Sequence, residues 1–199
     1  MKNKKRIIAT LSILTVLIVA VSCQPVKRFF KGLEESLVGL DSVVETYDRN
    51  SQKIDSISGK SVKIERDTKF DTDTSDSSVI KVTIGGREIH HVGSSLIARE
   101  KSVVNYFDDY SKKVDVDKTN RSIPILNSLV NEYKNDFFGK SKVVLIRSQS
   151  GNPLATFIGD KVSIKETDVP KSTGLYIDGD YVFIYRCDYT IYDMDLLEN

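Results

Sequence analysis

The sequence predicts an α+β domain, a predominantly antiparallel sheet with one main amphipathic helix over residues 122–138 packed on it and a short N-terminal helix. Three observations carry this expectation. From Ser42 onward, β-branched and aromatic residues alternate with polar ones in short runs, the period-two pattern of half-buried strands. These runs follow one another across turn residues without intervening helices, which opposes a parallel nucleotide-binding sheet. Finally, Ile125, Leu126, Leu129, Val130, Tyr133 and Phe137 recur at helical spacing, with Gly139 where a C-terminal cap belongs.

In chain order, the first element is a stripe of Val26, Phe29, Phe30, Leu33, Leu37 and Leu40 at about 100° per residue, which reads as an amphipathic helix. Lys27, Arg28 and Lys31 lie off the stripe, and Gly32 and Gly39 weaken it, so it either lies in a membrane interface or packs on the domain. A strand meander follows over residues 43–47, 54–58 and 62–64. Residues 67–78 form a solvated loop. Asp71, Asp73 and Asp76 have the Asp-x-Asp spacing of a calcium loop, but the sharp-turn glycine and closing glutamate are missing. Runs 79–84 and 87–92 flank Gly85-Gly86, a pair able to take positive φ at both turn positions, and predict a hairpin. A further strand is expected at 94–99. Beyond the helix, strands are expected at 142–149, 154–158, 162–164, 175–177 and, as one long run, 181–192. In that last run Tyr181, Phe183, Tyr185, Cys187, Tyr189 and Ile191 share one face, and this row is expected to pack beneath the 122–138 helix.

The N-terminus carries an address. Lys2, Lys4, Lys5 and Arg6 precede an apolar run over 7–21, the n-region and h-region of a secretory signal. Fifteen residues rise only about 22 Å as a helix, short for a bilayer core of about 30 Å. The run ends in Ala20-Val21-Ser22-Cys23, which resembles the bacterial lipobox. That resemblance implies cleavage before Cys23 and a diacylglyceryl group on its thiol, where two acyl chains give a stable anchor. The expected organisation is therefore a signal peptide at 1–22, a lipid-anchored tether or amphipathic segment at 23–41 and one domain at 42–199.

Charge and cysteine usage narrow the function classes. Four of the 29 basic residues lie in the signal, leaving 25 against 28 acidic ones and a mature net charge of −3. This opposes nucleic-acid binding. With Cys23 acylated, Cys187 has no intramolecular partner, so a disulfide framework is excluded.

Four stretches are recognisable: residues 82–89 (VTIGGREI), 133–144 (YKNDFFGKSKVV), 148–153 (SQSGNP) and 170–175 (PKSTGL). Together with Cys23-Gln24 they resemble an uncharacterised family of small lipoproteins of Gram-positive bacteria, a domain of unknown function. The resemblance implies a location on the extracytoplasmic face of the single cell membrane, facing the wall, and implies no activity.

No residue constellation carries chemistry. His90 and His91 are neighbours in a strand and point to opposite faces, so they cannot share a metal. Asp108-Asp109 and Asp193 with Asp195 read as polar surface, and Cys187 as a buried thiol without a hydrolase signature around it. No catalytic residue, cofactor or metal site is expected, and Cys23 is the one site residue. The expected function is a noncatalytic binding module, held to the membrane through Cys23, for a protein, peptide or cell-wall partner. The alternative is an envelope hydrolase with dispersed carboxylates.

Overall fold

The computed structural model describes residues 36–113, 123–133 and 139–197. The expected signal peptide, Cys23 and positions 26–35 lie outside these residues. The strands are β1 (Ser36–Tyr47), β2 (Lys53–Arg66), β3 (Ile80–Ile84), β4 (Arg87–His91), β5 (Ser95–Glu100), β6 (Lys142–Ser148), β7 (Pro153–Gly159), β8 (Val162–Lys165), β9 (Ser172–Ile177), β10 (Asp180–Tyr185) and β11 (Cys187–Asp193). Two short helices, α1 (Tyr106–Lys113) and α2 (Ile123–Glu132), lie between β5 and β6.

Eight strands form one antiparallel sheet in the order β4-β3-β2-β1-β5-β10-β9-β8, and a second sheet has the order β11-β6-β7. The large sheet is not flat. Laid out, β4 and β10 would stand five strand spacings apart, about 24 Å. Yet the rings of His91 and Tyr185 meet edge to face with centroids 5.9 Å apart, and the Tyr185 hydroxyl donates to the Ser78 carbonyl at 2.6 Å. The sheet therefore curls on itself and buries its own concave face, where Val44, Val62, Ile64, Leu96 and Phe183 pack together. Its convex side, with Ile97, Leu175, Val182 and Ile184, packs on Val144, Ile146 and Phe157 of the small sheet. The helices cover the outer face of that small sheet, with Phe107, Leu126 and Leu129 over Val143 and Leu145. β6 is thus buried on both faces, which is why its sequence reads Val-Val-Leu-Ile without alternation.

This architecture corrects the expected fold class. The chain is a β-sandwich-like fold of mostly antiparallel sheet, and its helices of 8 and 10 residues are short patches on one outer face. The described helix spans Ile123–Glu132 of the expected 122–138, and 134–138 lie outside the described residues. A helical stripe was expected to cover the aromatic row of the last strand. The large sheet covers that row itself by curling, so no helix is needed there.

The N-terminal helix is corrected as well. Ser36 already begins β1, pairing with Lys63, and Leu37 pairs with Val62 and sits 2% exposed in the concave core. The helical spacing of Leu37 and Leu40 is overridden by this pairing, since propensity is a weak prior against tertiary burial. Two extra residues bulge out of β1 between Leu37 and Asp41, with Gly39 at φ 81 and Val38 and Leu40 exposed.

The expected run over 181–192 breaks at Arg186, whose φ is 51. Tyr181, Phe183 and Tyr185 face the concave core, whereas Cys187, Tyr189 and Ile191 belong to the convex one. The single left-handed residue moves the chain from one sheet to the other and inverts the alternation. The Gly85-Gly86 hairpin forms as expected, with Ile84 opposite Arg87 and φ values of 55 and 81.

Phe183 is fully buried at the middle of the concave core. Replacing it by alanine is expected to cost about 3 to 5 kcal/mol of folding free energy, measured by urea denaturation. An unchanged midpoint would show that the concave face is not the core.

Candidate functional site

Four turns meet at one end of the sandwich and enclose a cavity of about 780 Å³. The β1–β2 turn supplies Asp48, Arg49 and Asn50, the β4–β5 turn supplies Gly93 and Ser94, the β6–β7 turn supplies Ser148, Gln149 and Ser150, and the β10–β11 crossing supplies Arg186. Tyr47 of the convex core also lines it, with Ile54 at the start of β2. Each of these four segments contains a residue of left-handed backbone: Ser51 at φ 67, Gly93 at 102, Gly151 at 84 and Arg186 at 51. For the two residues with a Cβ this conformation costs about 1 to 2 kcal/mol each, so the surrounding contacts must hold it.

Those contacts converge on one carbonyl. The Arg49 oxygen accepts from Ser148 Oγ at 3.0 Å and from Asn152 Nδ2 at 2.6 Å, both on buried side chains. The Ser148–Asn152 turn is closed by its own backbone bond at 2.8 Å. At the crossing, Arg186 N donates to Lys171 and its carbonyl accepts from Ser95 Oγ at 2.8 Å. Asp48 Oδ1 is turned inward, accepting from the backbone N–H groups of Asn50 and Gln52.

The result is a polar cavity whose backbone is fixed and whose cations are not. Arg186 donates one long hydrogen bond, 3.4 Å, to Gln149, and its Nε is buried without a hydrogen-bond partner. Among the described residues no carboxylate pairs with Arg186 or with the exposed Arg49. One carboxylate lines the cavity, that of Asp48.

A second charged cluster lies on the convex side. Glu45, 3% exposed, accepts from Lys53 at 2.5 Å and from the Tyr47 hydroxyl at 3.2 Å, and lies 3.5 Å from Arg99. Lys53 also bonds Asp108 of α1 at 2.8 Å. Burial, then the neighbouring Glu45, pushes the Tyr47 phenol far above its ordinary range. Burial works against the Lys53 ammonium, but its hydrogen bonds to Asp108 and Glu45 outweigh that and raise its pKa. The network ties α1 to the β1–β2 hairpin.

The remaining sequence candidates do not converge. His90 Nδ1 lies 2.8 Å from Asp67 Oδ2 without hydrogen-bond alignment, while His91 turns to the Ser94 carbonyl at 2.9 Å. Arg66 at the end of β2 pairs with Asp76 and, at 3.3 Å, with Asp71, so two of the loop's carboxylates are held by one guanidinium. Asp109 pairs with Lys112, and Asp193 with Lys142. Among the described residues no three His, Cys, Asp or Glu side chains group to hold a metal ion. Cys187 is packed behind the crossing, and burial pushes its thiol up to about 12. Sequence reasoning missed the cavity because its wall comes from turns far apart in the chain. The one local signal was Arg186, a cation interrupting an apolar run.

The model of a family described as Domain of unknown function (DUF5052) matches residues 5–197. No curated protein and no solved structure matches the chain.

Removing the Glu45 carboxylate strands Arg99 and the Tyr47 hydroxyl. Glu45→Ala is expected to lose about 3 kcal/mol or more in a denaturant titration; a neutral result would mean the cluster is hydrated and idle. Burial holds the Cys187 thiol at about 12 in the native state, so it is largely protonated at pH 9, where a thiol in an unfolded chain is largely ionised. Labelling by a thiol reagent at pH 9 is therefore expected to be slow until denaturant is added, and fast labelling of the native protein would contradict the burial.

Proposed function

We propose that this chain, which belongs to the DUF5052 family of unknown function, is a noncatalytic binding module held by a lipid on Cys23 to the extracytoplasmic face of the cell membrane, with the four-turn cavity as its binding site. The observation that carries the reading is the position of that cavity. β1 starts at Ser36 and ends at Tyr47, which lines it. With two residues bulged out, β1 advances about 30 Å, so Ser36 and the cavity lie toward opposite ends of this strand. An acylated Cys23 at the other end would leave it presented to the wall.

Further support comes from the matched family span, which begins at residue 5 and so includes Lys5, Arg6, the apolar run and Cys23. The cavity's chemistry fits recognition: fixed backbone, several hydroxyls and two cations that no carboxylate among the described residues pairs with. A wall component, peptide or protein partner would be met at that end.

Two experiments test this. Cys23→Ser is expected to yield an unacylated chain, either released from the membrane or left as the unprocessed precursor; a correctly processed, acylated variant in the detergent phase would overturn the anchor. The full-length protein in detergent is expected to cosediment with isolated cell envelopes stripped of membrane, and Arg49→Gln to lower the retained fraction at least fivefold with unchanged melting temperature. Retention indifferent to Arg49 would move the binding site elsewhere.

A further inference from the structure

The cavity opens beside an unpaired strand edge. β2 pairs with β1 along its length, but with β3 only from Val62 to Arg66. The Lys60 carbonyl is taken by Gly85 N, and Gly59 lies against Ile84. Across residues 53–58 the outer edge of β2 has no partner strand among the described residues, and all six residues are exposed. Ile54, 55% exposed, belongs to both this edge and the cavity wall. An extended chain laid antiparallel on this edge would run toward residue 53 and deliver its C-terminal end into the cavity.

The cavity is equipped for such an end. A terminal carboxylate has two oxygens and no proton to donate, and a guanidinium presents donors in a matching fork. Arg186 is held by backbone bonds on both sides, has a buried Nε without a partner, and meets no carboxylate. Arg49 lines the same space with its carbonyl clamped and its cation without an ion pair among the described residues. Asp48, the one opposing charge, has its Oδ1 engaged by the turn N–H groups of Asn50 and Gln52 and so is held toward its own turn, leaving two cations against one carboxylate in the lining. We infer that the cavity captures the C-terminal carboxylate of an extended peptide that adds as a strand to the free edge of β2, with Arg186 and Arg49 as its anion partners. The strand edge supplies sequence-independent main-chain bonds and the cavity reads the chain end. This rests on the binding-module reading and names its ligand class.

The test uses the full-length protein in detergent and three probes: a fluorescein-labelled hexapeptide of alternating valine and threonine with a free carboxylate, the same peptide with a C-terminal amide, and trigalacturonate. The free-carboxylate peptide is expected to bind at least tenfold more tightly than the amide by fluorescence anisotropy. Arg186→Gln should remove that difference. Because Arg186 sits in a strained backbone position, Arg49→Gln, at an exposed site, is the second variant, expected to reduce the difference at least threefold with unchanged melting temperature. Equal binding of the two peptides would overturn the inference, as would trigalacturonate binding that Arg49→Gln abolishes when neither peptide binds. Failure of all three probes while envelope retention stays sensitive to Arg49 overturns the peptide assignment alone. Loss of both overturns the module as well.

Discussion

The structure depends on how the chain crosses between its two sheets at Arg186. Up to Tyr185 the strand belongs to the curled eight-stranded sheet, and from Cys187 it edges the three-stranded one. One residue at φ 51 makes the change without a loop. Because it also flips the alternation, the residues on either side feed two different cores, Tyr185 the concave and Cys187 the convex. The two sheets are thereby stitched along one continuous chain, and the gap left beside the stitch is one wall of the cavity. A non-glycine residue in this region costs energy, and the bonds from Ser95 and to Lys171 offset it.

Much of the strand content was legible in the sequence, because alternation and turn chemistry are local. The Gly85-Gly86 hairpin, the β6–β7 turn and the succession of short strands could be read from neighbours in the chain. What failed was the weight given to helical spacing. Leu37 and Leu40 lie on a helical stripe, yet β1 pairs from Ser36 onward and Leu37 is buried in the sheet. The aromatic row of 181–185 was correctly read as apolar core material, but its partner was misassigned. Curling of a sheet is a property of many strands together, and no window of residues displays it. α1 was missed because its sequence, YFDDYSKK, carries only Phe107 and Tyr110 as buried residues.

The cavity lay further from reach. Ser148 and Asn152 look like ordinary turn residues, and only the fold shows both donating to a carbonyl about a hundred positions earlier. Their stretch, Ser-Gln-Ser-Gly-Asn-Pro, carried part of the family resemblance without carrying an activity. In the fold it does two things at once: buried donors clamp the neighbouring turn, while Gln149 and Ser150 face the open space.

The strand order also governs when the domain can exist. β10 sits between β5 and β9 in the large sheet, yet it is nearly the last segment synthesised. Until residues 180–185 are available, β5 has β1 as its one neighbour, the concave core lacks Phe183 and Tyr185, and the small sheet lacks β11. Closing β10 onto β5 requires pairing residues more than eighty positions apart, which is entropically slow. Both sheets are therefore completed only when the last strands of the chain are in place.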